Sequence, residues 1–132
     1  MMRFASYFCS AALLLSCIGL AQAQSSDNAL YTRSTLRDAN GEAIFRHICQ
    51  GCHMPDAKGA VGAGMYPALA NNAKLEEAGY PIAVIVNGQK AMPPLGSMFS
   101  DTQVADVVNY IRTHFGNHYT DKVTPAMVKT AR

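Results

Sequence analysis

Residues 49–53 read Cys49-Gln50-Gly51-Cys52-His53, which is a C-x-x-C-H pattern. On an α-helix, side chains three and four positions apart share one face. Cys49 and Cys52 can therefore reach two vinyl groups of one porphyrin, while His53 turns its imidazole toward the iron. This pattern is typical of covalent c-type haem attachment. It predicts one haem c, bound covalently through Cys49 and Cys52, with His53 as an iron ligand.

Other interpretations of the motif have weaker support. A thioredoxin-like redox pair requires alternating strands and helices, and the sequence contains no strand-length alternating run. A zinc site requires two further ligands. His47, His114 and His118 could be nominated, but the sequence has no second paired motif. A chance match would leave two neighbouring thiols that are prone to form a disulfide, and we favour haem attachment over all of these.

The first residues have the pattern of a secretory signal peptide. Arg3 precedes an uncharged run over Phe4–Leu20, and Ala21-Gln22-Ala23 forms a small–x–small cleavage pattern. We therefore predict a signal peptide over residues 1–23, cleaved after Ala23, and a periplasmic location. A retained membrane anchor is the main alternative, and lipidation at Cys17 is a weaker one.

Cleavage of this segment would change the cysteine content. Cys9 and Cys17 would leave with the signal peptide, so Cys49 and Cys52 would be the remaining thiols. A small exported domain without disulfides needs another source of stability. A covalently bound, mostly buried porphyrin would supply it, and no membrane span is predicted after cleavage.

The charge balance excludes one class of partner. The chain has 11 Lys and Arg residues and 9 Asp and Glu residues, with a formal net charge of +2. Nucleic-acid-binding proteins usually carry clustered basic residues, and no such cluster is present here. We therefore predict no nucleic-acid partner.

The pattern of apolar residues predicts an all-α domain of short helices and loops over residues 39–116. A flexible segment over residues 24–38 and a polar tail over residues 117–132 flank it. The predicted helices begin near Asn40 or Gly41, span 73–78 with Gly79 as the stop signal, and span 82–86 with Pro81 in the first turn and Asn87-Gly88 at the end. A last helix begins at Ser100, which forms a capping box with Gln103. A further short helix could begin at Thr124-Pro125.

A second axial ligand would close the iron site. The candidates are the methionines outside the predicted signal peptide that do not directly follow His53, namely Met65, Met92, Met98 and Met127. We favour Met92, because Gly88 and the prolines Pro93-Pro94 restrict the turn that carries it. Met98 is the next candidate. Without a methionine ligand, the haem would be open to small molecules, as in a five-coordinate enzyme or sensor.

The order of these features resembles the class I cytochromes c over residues 39–115. The resemblance implies that the Pro67 carbonyl accepts a hydrogen bond from His53 and that Leu69 packs on the porphyrin. Gly88-Gln89-Lys90-Ala91-Met92-Pro93 is similar to the loop that carries the family's methionine ligand, which implies His53 and Met92 as axial ligands. It also implies a crossing of the first and last helices at Gly41, Phe45 and Tyr110.

Within this class, residues 92–95 and 105–110 resemble single-haem domains of bacterial dehydrogenase systems. This narrower resemblance implies a one-electron carrier that is not itself an enzyme. Its expected donor is a periplasmic dehydrogenase, and its expected acceptor is an oxidase or another cytochrome. A haem-bearing subunit of a dehydrogenase complex is the alternative.

Overall fold

The computed structural model describes residues 36–62 and 64–132. The predicted signal peptide and nearly all of the predicted flexible segment lie outside these ranges. Within them, no helix has the length and apolar character that crossing a membrane requires.

The described elements are short helices and one small β-ladder. In chain order they are α1 (Gly41–Ile44), a π-helical turn (Phe45–Cys49), α2 (Gln50–His53), β1 (Ala60–Val61), β2 (Met65–Tyr66), a 3-10 helix (Ala73–Leu75), α3 (Gly79–Asn87), α4 (Asp101–Thr113) and α5 (Pro125–Lys129). The strands β1 and β2 are antiparallel, and Val61 pairs with Met65. Because each strand has only two residues, the predicted all-α class is confirmed.

Both helix starts that the sequence marks most clearly are present. Asn40 caps α1, and its side chain accepts a hydrogen bond from the Ala43 N–H at 2.9 Å. Ser100 and Gln103 form the predicted capping box of α4. Since α1, the π-helical turn and α2 follow one another without a break, the C-x-x-C-H motif lies on a helix, as its spacing requires.

The middle of the chain differs from the sequence prediction at Gly79. We predicted a helix over 73–78 that Gly79 would end, but the 3-10 helix ends at Leu75, and Gly79 is the first residue of α3. Pro81 follows within the first turn of α3, where its missing N–H costs nothing because no intrahelical partner exists there. The preference of Pro81 for a first helical turn therefore outweighs the tendency of Gly79 to end a helix.

The first and last large helices cross at Gly41. A Cβ atom on Gly41 would lie 2.1 Å from the Asp106 backbone oxygen, so only glycine lets the two backbones approach this closely. The Phe45 and Tyr110 rings pack beside the crossing with centroids 5.7 Å apart. The core on this side includes the fully buried residues Ile44, Val104 and Val108. The predicted crossing is therefore present.

Substitution of Gly41 by alanine should destabilise the holoprotein by about 3 kcal/mol, because the new methyl group overlaps a backbone atom that cannot move aside. Gly79→Ala is the matched control, since its Cβ would meet nothing within 4 Å. That change should alter stability by no more than about 1 kcal/mol. Chemical denaturation measures both, and equal stabilities of the two variants would contradict the close crossing.

The segment after α4 is packed rather than free. Val123 and Val128 are buried, and Asn109 on α4 exchanges two 2.9 Å hydrogen bonds with the Val123 backbone. Arg112, which has no exposed surface, donates to the Leu75 carbonyl at 2.8 Å and to Asp121 Oδ1 at 2.7 Å. The structure thus differs from the predicted polar tail over residues 117–132, because this segment covers α4.

Candidate haem-binding site

The helical motif presents its two thiols differently. Cys49 is the last residue of the π-helical turn and is partly buried, whereas Cys52 lies on α2 and is exposed. Both are free cysteines. π-Helical turns within α-helices are frequent at functional sites, and this one ends at the first cysteine of the motif.

Burial controls the chemistry of Cys49. Burial is the main cause that raises the pKa of the Cys49 thiol to about 12, with a backbone hydrogen bond that lowers the pKa and the neighbouring Cys52, which raises it, as smaller causes. The thiolate is the nucleophile and the metal ligand in cysteine chemistry. Burial therefore favours the neutral thiol of Cys49, which disfavours a reactive redox pair.

His53 is held by the loop that follows it. Its Nδ1 lies 2.9 Å from the Pro67 carbonyl oxygen, and a carbonyl can only accept, so Nδ1 carries the proton. Its own carbonyl oxygen accepts from the Gly59 N–H at 3.0 Å. The β1–β2 hairpin consequently begins and ends at contacts with His53.

The second ring nitrogen of His53 is available to a metal. With the proton on Nδ1, Nε2 carries a lone pair. His53 is only 9% exposed, yet within the described ranges no side-chain nitrogen or oxygen is sealed in the interior without a hydrogen bond. Nε2 therefore reaches accessible space, so the donor set of His53, Cys49 and Cys52 fits a covalently bound haem.

Met92 lies in a constrained segment, which we call the Met92 loop (residues 88–99). Gln89 and Met92 exchange two backbone hydrogen bonds, of 3.0 Å and 2.9 Å. Gly88 ends α3 with a φ of 74°, and a Cβ there would lie 2.8 Å from the Met92 oxygen. The loop therefore holds the Met92 backbone in one tight turn.

The candidate methionines differ in burial. Met92 is partly buried and packs against the hydrophobic core, whereas Met65, Met98 and Met127 are 75%, 49% and 39% exposed. Leu69 is also partly buried against the core, and its N–H donates to the Ala57 carbonyl at 2.8 Å. Of the four methionines, Met92 is the one with a fixed, partly enclosed position.

Among the described residues, the other histidines show no arrangement with the motif that would hold a metal ion. His114 stacks on Tyr110 with ring centroids 4.1 Å apart, and its Nδ1 lies 2.9 Å from the Tyr110 carbonyl. His47 and His118 are exposed. Across residues 36–62 and 64–132, no group of three or more His, Cys, Asp or Glu side chains could hold a metal ion. The described residues thus give the zinc interpretation no support.

Sequence reasoning missed Gly59. Its φ is +69°, and a Cβ there would lie 2.1 Å from the Tyr66 oxygen, so glycine is required where the hairpin closes under His53. The available signal was a glycine that follows the loop residues Asp56, Ala57 and Lys58.

Comparisons with known proteins cover this same region. The family model described as "Cytochrome C oxidase, cbb3-type, subunit III" matches residues 37–111. Cytochrome c6 of Alaria esculenta is 33% identical over 81 residues, which are 56% of this chain and 87% of that protein.

Two similar proteins are dehydrogenase subunits. The fructose dehydrogenase cytochrome subunit of Gluconobacter japonicus is 30% identical over 106 residues, covering 68% of this chain and 22% of that protein. The cytochrome c subunit of a quinone alcohol dehydrogenase from Komagataeibacter europaeus is 36% identical over 105 residues, covering 70% and 22%. The chain spans about a fifth of the length of these two relatives.

Proposed function

The chain belongs to the class I cytochrome c family of haem-containing electron-transfer proteins, and from this premise we propose that it is a periplasmic one-electron carrier. Its haem c is bound covalently through Cys49 and Cys52, with His53 and Met92 as axial ligands. Its electrons come from a periplasmic dehydrogenase and pass to an oxidase or another cytochrome. The signal peptide over residues 1–23 directs its export.

One observation carries the ligand assignment. The 2.9 Å contact between His53 Nδ1 and the Pro67 carbonyl assigns the proton to Nδ1 and directs the Nε2 lone pair outward. The partly buried Met92 on its constrained turn supports the second ligand. Pro67 then acts through His53 by fixing its tautomer, and the partly buried Leu69 would contact the porphyrin.

The chain's own residues would keep this site rigid. A bound haem c supplies the one-electron Fe(III)/Fe(II) couple. Pro67 and Gly59 hold His53 from both sides, and the paired hydrogen bonds to Gln89 hold Met92. Because these hydrogen bonds hold both ligands, the chain should need little rearrangement between oxidation states, which suits fast electron exchange.

The dehydrogenase relatives favour the donor class and a second candidate function. Two of them are cytochrome subunits of fructose and quinone alcohol dehydrogenases. This chain would then be either a separate carrier for such an enzyme or its haem-bearing subunit. Size-exclusion chromatography of the native protein distinguishes these, because a subunit elutes with a dehydrogenase and a carrier elutes alone.

The proposed function is tested by electron transfer from a substrate-reduced dehydrogenase. The oxidised holoprotein is mixed with a periplasmic dehydrogenase of the same organism and its sugar or alcohol, and haem reduction is followed optically. We expect reduction that requires both enzyme and substrate. Reduction that is absent with every such donor would contradict the dehydrogenase pathway, although a haem reducible by dithionite would still identify a redox protein.

The loops beside His53 and Met92 form the proposed docking surface for redox partners. Val61 and Met65 on the hairpin are 89% and 75% exposed. Ala57, which lies just before the hairpin, is fully buried, and its carbonyl oxygen accepts hydrogen bonds from the Leu69 and Ala70 N–H groups. The surface is therefore the hairpin and the exposed side of the Met92 loop.

Two lysines flank this surface, and their environments differ. Lys58 Nζ lies 3.2 Å from Asp56 Oδ2, so its charge is partly compensated. Lys90 has no ion pair within the described residues. Lys90→Glu should therefore slow electron transfer with an acidic partner more than Lys58→Glu does, by roughly three- to tenfold at low salt.

Stopped-flow rates at several salt concentrations measure this effect. Lys122→Glu is the charge-matched control, because Lys122 lines a different groove beside α1 and α4. Its rate should stay near that of the wild type. If Lys90→Glu and Lys122→Glu slow the reaction equally at low salt, net charge rather than a docking surface controls the rate.

A further inference from the structure

Arg132 forms hydrogen bonds with the end of the Met92 loop and with the first residue of α4. Its Nη1 donates to the Gly96 carbonyl at 2.5 Å, and its Nη2 donates to the Phe99 carbonyl at 2.8 Å. Its Nε pairs with Asp101 Oδ1 at 2.5 Å. One guanidinium thus binds three groups on a single short stretch, residues 96–101. Charge-assisted hydrogen bonds of this kind are stronger than neutral ones.

The opposite side of the same stretch is bound to α3. The Leu95 N–H donates to the Ile85 carbonyl at 2.8 Å, and the Gly96 N–H donates to the Val86 carbonyl at 3.2 Å. A Cβ on Gly96 would lie 2.7 Å from the Val86 oxygen and 3.3 Å from Arg132 Nη1. Gly96 is therefore enclosed between α3 and Arg132, so the Met92 loop is held on both sides.

The helix α5, which precedes Arg132, is itself packed and holds Arg132 in position. Thr124 caps α5, and Val128 on α5 has no exposed surface. The Ala131 N–H donates to the Val128 carbonyl at 3.0 Å, which carries the ordered backbone to Arg132. The guanidinium is thus positioned by a packed helix rather than by a free end.

We propose that Arg132 is a positioning residue for Met92, because it locks residues 96–101 and so keeps the Met92 loop closed against the haem. This inference rests on the proposed ligation by Met92. Movement of the loop would help to release Met92 from the iron, and movement of residues 96–99 away from Arg132 breaks its hydrogen bonds to Gly96 and Phe99. Loss of these bonds should therefore speed ligand exchange without removing the methionine.

The test measures imidazole binding to the oxidised holoprotein, in which imidazole replaces the methionine ligand. Arg132→Gln should bind imidazole about tenfold faster than the wild type at saturating imidazole. Arg132→Lys, which keeps the charge but not the planar fork, should give an intermediate rate. Lys129→Gln is the matched control, because it removes one charge from exposed α5 surface and should leave the rate unchanged.

The spectrum of the wild type separates this inference from the proposed function. If the oxidised wild type lacks the long-wavelength absorption band of a thioether–haem bond, the ligation by Met92 and the role of Arg132 both fail. If the band is present but Arg132→Gln and wild type bind imidazole at the same rate, the inference alone is overturned. A denaturation curve that shifts without a change in imidazole binding would give Arg132 a purely structural role and would also overturn it.

Discussion

Replacing both motif cysteines with alanine should yield a chain that carries no haem after denaturation. Cys49→Ala/Cys52→Ala removes both proposed covalent anchors, so only the non-covalent ligands His53 and Met92 would retain the porphyrin. Because a ligand that binds only the folded state stabilises it, the variant should also lose much of its resistance to denaturant. Haem staining of a denaturing gel and the intact mass of the chain measure the attachment.

The chain offers a matched control for this experiment. Cys9→Ala/Cys17→Ala removes the same number of thiols from the predicted signal peptide, which lies outside the described residues. It should keep one covalent haem per chain. A haem mass that persists in Cys49→Ala/Cys52→Ala would disprove thioether attachment at the motif.

Met92→Ala should open the iron site and lower the reduction potential. A thioether ligand favours Fe(II), so its loss should lower the potential by about 0.2 V, within the about 0.8 V range that axial ligands control. The ferrous variant should also bind carbon monoxide rapidly, whereas the wild type should resist it. Potentiometry and flash photolysis measure the two effects.

Met98→Ala is the control for the methionine assignment, because Met98 is 49% exposed and was the second ligand candidate. It should leave the potential and the carbon monoxide reaction as in the wild type. If Met98→Ala opens the iron site while Met92→Ala does not, the ligand is Met98 and the assignment of Met92 is wrong.

Local signals in the sequence were enough to locate the main helices. The capping box of Ser100 and Gln103 depends on short-range chemistry and is present in the fold. The close crossing at Gly41, which the family resemblance implied, is present as well. Gly79 was misjudged because a glycine can end one helix or begin the next. The nearby Pro81, which is favoured in a first helical turn, decided between the two.

The long-range contacts could not be predicted in this way. Arg112 bonds to residues 75, 76 and 121, and Arg132 bonds to residues 96, 99 and 101. Each arginine satisfies backbone carbonyls that are distant in sequence, and composition gives no indication of such pairs. For the same reason, residues 117–132 looked like a polar tail although Val123 and Val128 pack into the core.

The candidate site also has a part that the sequence predicts and a part that it does not. The motif predicts Cys49, Cys52 and His53 from spacing alone, the glycine and prolines around Met92 favoured it as the second ligand, and the family resemblance added Pro67 and Leu69. The hairpin that closes under His53 could not be predicted from the sequence. Its closure depends on the Gly59 backbone and on two strands of only two residues each. Such short strands leave no alternating pattern in the sequence.

The most direct test of the whole account is an optical redox titration of the purified holoprotein. We predict a single one-electron transition, with the thioether–haem band present in the oxidised form and absent from the reduced form. A haem that titrates without this band, or that shows the spectrum of an open iron site, would contradict a closed electron carrier with His53 and Met92 as its ligands.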